Sequence, residues 1–101
     1  MGAPADRDER ILAVIRSLRD GEVVSYGDIA ADAGCSGLSR LVGHLLASAT
    51  EDLPWWRVVN AAGRLAPGSE AEQAQLLRAE GVLCDSDRVR SARYGRFSRR
   101  S

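Results

Sequence analysis

A chain of 101 residues, 45% hydrophobic and 28% charged, is large enough to bury a core without staples but with little to spare, so residues 1–101 read as a single globular domain. No apolar run approaches a membrane span, and Met1-Gly2-Ala3-Pro4-Ala5-Asp6 lacks the basic and apolar blocks of a secretion signal, so a cytoplasmic protein without membrane partners is expected. The 14 Arg balance 14 Asp and Glu, leaving no bulk charge that argues for nucleic acid, and Cys35, Cys84 and His44 are too few and too scattered for a zinc site. Both cysteines read as small apolar fillers.

Residues 1–5 are expected to form a disordered lead, and about 98–101 a disordered end. Asp6 with Glu9 three positions later signals a capping box, and Ile11, Leu12, Ile15 and Leu18 recur at helical spacing. A first helix is predicted from about Arg7 to Arg19, ended by Gly21. Val23-Val24 is a short extended link. Ser25 with Asp28 opens a second, short helix that Gly34 stops. Cys35-Ser36 is a tight corner, with Ser36 capping a third helix from about Gly37 to Ala49. Two short helices across a Gly-containing turn make a helix-turn-helix, with the first helix packed across it.

On the third helix, Leu38, Leu41, Val42, Leu45 and Ala49 fall on one side, which must face the core. Arg40, Gly43, His44 and Ala47 fall on the other, a face with one long cation among small residues. Gly43 costs about 1 kcal/mol relative to Ala in a helix interior, so a close approach to another surface is implied. A DNA groove and a second part of the same chain fit that surface equally well on this evidence.

Ser48 to Leu53 is a polar loop leading into Pro54-Trp55-Trp56-Arg57. Adjacent tryptophans are either core or the wall of a site, and taken alone the core reading is favoured. Val58-Val59 is a short buried strand, Ala61-Ala62-Gly63-Arg64 a turn, and Pro67-Gly68 a break. Ser69 with Glu72 is a third capping box, starting a helix through Leu76 and Leu77 to Glu80 that Gly81 closes. Val82 to Phe97 alternates weakly and is expected to lie across the domain as an arm anchored by Val89, Tyr94 and Phe97. From Arg88 onward there are six Arg and no acid, a run that is either solvated or laid along a phosphate backbone.

Four blocks carry a resemblance when taken in order: Gly21-Glu22-Val23-Val24-Ser25-Tyr26-Gly27-Asp28-Ile29-Ala30, then Ser39-Arg40-Leu41-Val42-Gly43, Pro54-Trp55-Trp56-Arg57-Val58-Val59, and Leu76-Leu77-Arg78-Ala79-Glu80-Gly81-Val82. Together they resemble the DNA-binding domain of O6-alkylguanine-DNA alkyltransferases, and more closely the alkyltransferase-like proteins, over roughly residues 7–97. The resemblance implies a mainly α fold, a winged helix-turn-helix domain with short strand elements. Trp55 stands where the alkyltransferases carry their reactive Cys, Trp56 where they carry His, and Glu80 matches their Glu. An indole has no thiolate, so alkyl transfer by that route is excluded and neither catalysis, cofactor nor metal is expected.

What the resemblance implies instead is binding to double-stranded DNA carrying O6-alkylguanine. Tyr26 would press on the phosphate 3′ to the target base and Arg40 would take the place of the flipped base. Ser39, Gly43 and His44 would complete the DNA-contacting face. Tyr26, Leu46, Trp55, Trp56, Val58 and Arg64 would form the lesion pocket. The implied outcome is a non-enzymatic sensor, a monomer that flags the lesion for nucleotide excision repair proteins. Two departures from the family stand out: Trp56 removes the His hydrogen-bonding group, and Leu65-Ala66-Pro67-Gly68 lacks the basic residue expected after the Gly-Arg turn, for which Arg64 is the nearest substitute. The alternatives are a winged helix-turn-helix regulator without lesion preference and, less favoured, an alkyl acceptor through Cys35 or Cys84.

Overall fold

The computed structural model describes residues 4–98. Helix α1 spans Pro4–Arg16 and buries Ile11 and Ile15 completely. It starts earlier than its sequence signal, so Asp6 lies inside the first turn and is not the N-cap; its charge still suits the positive end of the helix. The helix also stops before Gly21, its last turn tightening through Leu18 N–H to the Ile15 carbonyl at 3.2 Å. Gly21, at φ 84°, instead makes the turn into the next strand. Of the positions expected to be disordered, Pro4 and Ala5 fall within the described helix, and the Ser98 amide donates to the Gly95 carbonyl at 3.1 Å. The rest of that expectation falls on residues outside those described.

Val23 and Val24 form more than a link. Strand β1, Glu22–Ser25, is the centre of a three-stranded parallel sheet between β2, Val58–Val59, and β5, Tyr94–Gly95. The register pairs Val24 with Val58 and Val23 with Gly95. Side chains alternate across a strand, and here the alternation divides two cores. Val24 and Val58 join Ile11, Ile15, Ile29, Val42 and Leu53 on one side. Val23 and Val59 join Leu65, Ala74, Leu77, Val82 and Val89 on the other.

Helix α2, Tyr26–Asp32, carries the capping box its sequence announces: Ser25 Oγ accepts from the Asp28 amide at 3.0 Å, and Asp28 Oδ2 accepts from the Ser25 amide at 2.9 Å. Helix α3, Ser39–Ser48, begins later than expected and has Leu38 as N-cap, with no side-chain cap. Gly37 sits at φ 89°, a left-handed geometry that cannot be the first residue of an α-helix, so Ser36 is too early to cap it. Leu38, assigned to the core by periodicity, is therefore outside the helix and 36% exposed. Val42 is fully buried, while Leu41, Leu45, Leu46 and Ala49 pack partly against the first core.

Helix α4, Glu70–Ala79, has Ser69 at its N-cap without a side-chain bond, so the third capping box is not formed. The buried Gln73 does the tying: its Oε1 accepts from the Ala66 amide at 2.6 Å, and its Nε2 donates to the Trp56 and Val58 carbonyls, each at 3.1 Å. Strands β3, Leu83–Cys84, and β4, Val89–Ser91, make an antiparallel hairpin, after which the arm returns to β1 as β5. Val89 and Phe97 anchor the arm on the second core. Tyr94 does not join them; it lies half-buried with the Arg19 guanidinium carbon 3.7 Å from its ring centroid.

Candidate functional site

Pro54 leads into a single 3₁₀ turn, Trp55–Arg57, closed by the Arg57 amide on the Pro54 carbonyl at 3.1 Å. The turn throws the two indoles apart, with centroids 6.2 Å apart and planes at 87°, an edge-to-face pair. Trp55 consequently walls a cavity that Trp56 does not reach, and the two share the rim of a second, open hollow.

A cavity of about 320 Å³ is lined by Tyr26, Gly43, Leu46, Ala47, Trp55, Val58, Ala66 and Ser69. Helix α3 contributes its small face: a Cβ at Gly43 would meet Tyr26 Cε1 at 3.9 Å, an ordinary van der Waals distance that leaves room for a methyl between helix and ring. Trp55 and Leu46 also border a second, open hollow of about 600 Å³, reached by Trp56, Arg57, Arg16 and Leu53. Tyr26 and Ala66 border a third of about 200 Å³, with Arg64, Asn60 and Asp87.

Of the residues expected to form a pocket, Tyr26, Leu46, Trp55 and Val58 meet in one cavity, Trp56 lines its neighbour, and Arg64 lies on the far side of Tyr26. Gly43 belongs to the same cavity, whereas Ser39, Arg40 and His44 are exposed on α3 and line none of the three. Among the described residues Arg40 has no ion-pair partner. Ala66 and Ser69 carry no cue in the sequence; they enter the wall because Gln73, a buried polar residue reaching back across the α4 start, holds their loop in place.

Behind Trp56 lies a charged hub. Glu80, with 9% of its side chain exposed, accepts from Trp56 Nε1 at 2.7 Å, from Arg57 Nη2 at 2.7 Å and from the Gly21 amide at 3.0 Å. Arg57 goes on to the Leu18 carbonyl at 2.8 Å. Burial alone would push the Glu80 carboxyl up, but the hydrogen bonds from Arg57, Gly21 and Trp56 outweigh it and hold it below its ordinary value. Trp56 therefore does not remove a hydrogen bond from this position, as its replacement of His suggests. The indole N–H supplies the donor.

The two cysteines lie elsewhere. Cys35 is buried, with Arg10 Nη2 3.5 Å from its sulfur. Burial pushes the half-buried Cys84 thiol up, which lowers its thiolate fraction. Neither lines any of the three hollows. Among the described residues, no group of three or more His, Cys, Asp or Glu is placed to hold a metal ion, and no helix is long and apolar enough to cross a membrane.

Against known proteins, the model of the 6-O-methylguanine DNA methyltransferase DNA-binding domain matches residues 6–82. A DNA base-flipping protein of Vibrio parahaemolyticus is 42% identical over 77 residues, spanning 72% of this chain and 77% of that relative. A DNA base-flipping protein of Escherichia coli is 38% identical over 79 residues, or 74% of this chain and 61% of the relative. Among solved structures, S. pombe Atl1 in complex with damaged DNA containing O6-carboxymethylguanine superposes with a TM-score of 0.73 at 23% identity, covering 87% of this chain and 90% of that one, a likeness of fold. Mycobacterium tuberculosis O6-methylguanine methyltransferase in complex with DNA gives a TM-score of 0.65 at 28% identity, over 79% of this chain and 51% of that one.

Proposed function

The chain belongs to the family of the 6-O-methylguanine DNA methyltransferase DNA-binding domain, and from that premise we propose that it is a non-enzymatic sensor that flips O6-alkylguanine out of duplex DNA. On this reading α2 and α3 are the helix-turn-helix, the β3–β4 hairpin is the wing, and the exposed face of α3 enters the minor groove with Arg40 filling the stack. Ser39 and His44 contact the backbone beside it, and Tyr26 presses on the phosphate 3′ to the flipped nucleotide.

One observation carries the proposal: the indole of Trp55 and the ring of Tyr26 wall a cavity whose third side is the slender face of the helix bearing Arg40. At about 320 Å³ it falls at the small end of the range for small-molecule sites, about 300–1,000 Å³. Extruding a base costs a few kcal/mol, and stacking on an aromatic side chain returns about 1–3 kcal/mol. The apolar lining from Leu46, Val58 and Ala47 favours an alkylated O6 over a bare one. Trp56 shapes the adjoining hollow and Arg64 meets the lesion strand from the far side of Tyr26. No thiol lines the cavity, so the base is held without covalent chemistry. The flipped, bound lesion is the signal that nucleotide excision repair proteins read, and a monomer suffices for it.

The experiment is a gel-shift comparison of guanine and O6-methylguanine duplexes, with Arg40→Ala alongside. Tighter binding of the methylated duplex, abolished in Arg40→Ala, supports the sensor. Equal affinity for both duplexes would leave a helix-turn-helix regulator without lesion preference. Intact mass after incubation with the methylated duplex is expected to stay unchanged; a gain of one methyl group would revive an acceptor cysteine.

A further inference from the structure

The family match ends at residue 82, so the hairpin and arm that follow lie outside it. The arm is nonetheless locked in place. Tyr94 and Gly95 pair in parallel with Glu22 and Val23, and the Arg93 and Tyr94 amides both donate to the Gly21 carbonyl, at 3.0 and 3.1 Å. The arm thus follows β1 from Gly21 towards Tyr26, the first residue of α2 and a wall of the cavity.

Guanidiniums ride on that track. The Arg19 and Arg93 guanidinium carbons lie 3.7 and 5.5 Å from the Tyr94 centroid, and among the described residues neither cation has an ion-pair partner. At the far end Arg96 makes a two-bond fork to Asp28, at 2.8 and 2.9 Å, with 44% of its side chain still exposed. Phe97 then packs over Gly63, next to Arg64. The carboxylates along this edge are engaged: Glu22 by the Arg19 amide, Asp28 by Arg96, and Asp20 by Arg57. Cations left without a carboxylate are available to an anion, and Arg presents a planar fork suited to a phosphate.

The geometry points to a lesion-independent phosphate-binding strip, Arg19 and Arg93, that runs beside β1 and continues the DNA interface proposed above, on which it rests. Arg96 also screens the charge that Asp28 would otherwise turn towards the backbone near Tyr26. Such contacts fix position on the duplex and carry no information about the base.

The test is binding to an unmodified duplex by fluorescence anisotropy across a KCl series. Replacing both (Arg19→Gln, Arg93→Gln) is expected to reduce the slope of log K against log[KCl] by about 1–2, at about 0.9 for each phosphate no longer neutralised. The preference for an O6-methylguanine duplex over the plain one is expected to stay unchanged. The matching double Lys variant keeps the charges without the stacked, forked geometry, and is expected to keep the wild-type slope. An unchanged slope in the Gln variant would overturn the strip, as would an equal reduction in the Lys variant, because the effect would then follow packing on Tyr94 and Gly21. Should the wild type bind both duplexes equally, lesion sensing fails while the slope comparison still decides the strip.

Discussion

The indole N–H of Trp56 meets the Glu80 carboxylate at 2.7 Å, while the same carboxylate is forked by Arg57 and touches the Gly21 amide. Through the edge-to-face pair, the orientation of Trp55 is set by Trp56, and that of Trp56 by the end of α4. A hydrogen bond to a charged group contributes about 1.5–3 kcal/mol. Trp56→Phe is therefore expected to lower unfolding stability by about that amount or somewhat more, since ring volume is removed too. Trp56→His, which restores a ring N–H donor, should cost less. Urea denaturation of the two variants checks the order, and Phe no worse than His would exclude the bond as the cause.

Acid should loosen the arm before it unfolds the cores. The fork from Arg96 first, with the Ser25 amide in support, holds the Asp28 carboxyl at about 2, down from 3.8. A carboxyl depressed in the folded state contributes stability that is fully present above its unfolded pKa and is lost as pH falls through the folded value. The loss attached to Asp28 thus falls between about pH 4 and pH 2. Solvent around the half-exposed Arg96 limits it to about 1 kcal/mol. Asp28→Asn is expected to flatten that part of the stability curve in urea melts at stepped pH, and a curve superposable on wild type would refute the assignment.

Glycines at two positions should answer oppositely to alanine. Gly43 has ordinary helical geometry, and an added Cβ would meet only Tyr26 Cε1 at 3.9 Å. Gly43→Ala is expected to raise stability by about 0.5–1 kcal/mol through helix propensity alone. At Gly95, φ is 89° and an added Cβ collides with the Val23 carbonyl across the parallel pair. Gly95→Ala is expected to cost more than about 2 kcal/mol, combining left-handed strain with a displaced strand. Thermal melts of the two variants moving in the same direction would contradict this account.

If Gly43 owes its place to DNA rather than to the fold, stability and binding should part company there. Gly43→Leu, still soluble and helical, would put a branched side chain between Tyr26 and Ala47 and fill the cavity. It is expected to abolish the preference for an O6-methylguanine duplex while leaving the salt slope on plain DNA unchanged. Anisotropy titrations on the two duplexes measure both quantities, and a preserved preference would remove the cavity from recognition.

Features that rest on short-range rules are legible in the sequence. Ser25 with Asp28 forms its capping box, Gly34 and Gly81 stand just past their helices, and Val58-Val59 is a buried strand. Misreadings arise where a rule of the same range meets a competitor. Ser36 has the chemistry of a cap, but Gly37 takes a left-handed turn after it and postpones the helix to Ser39. Val23-Val24 is too short to announce a strand, and becomes one because partners at Val58 and Gly95 arrive from elsewhere in the chain. The bond between Trp56 and Glu80 is not legible at all, because nothing in a sequence says which way an indole turns. Tyr26, Leu46, Trp55 and Val58 come together on paper only through resemblance, and their common cavity is a property of the folded chain.

That dependence on distant partners bears on how the protein is made. The ribosome releases β1 early, yet one of its edges stays bare until Val58 appears and the other until Tyr94 follows. A nascent chain that has passed α3 still carries a strand with unpaired amides on both flanks, a template for wrong pairing. Closing such long loops costs chain entropy before either pairing repays it, which slows folding.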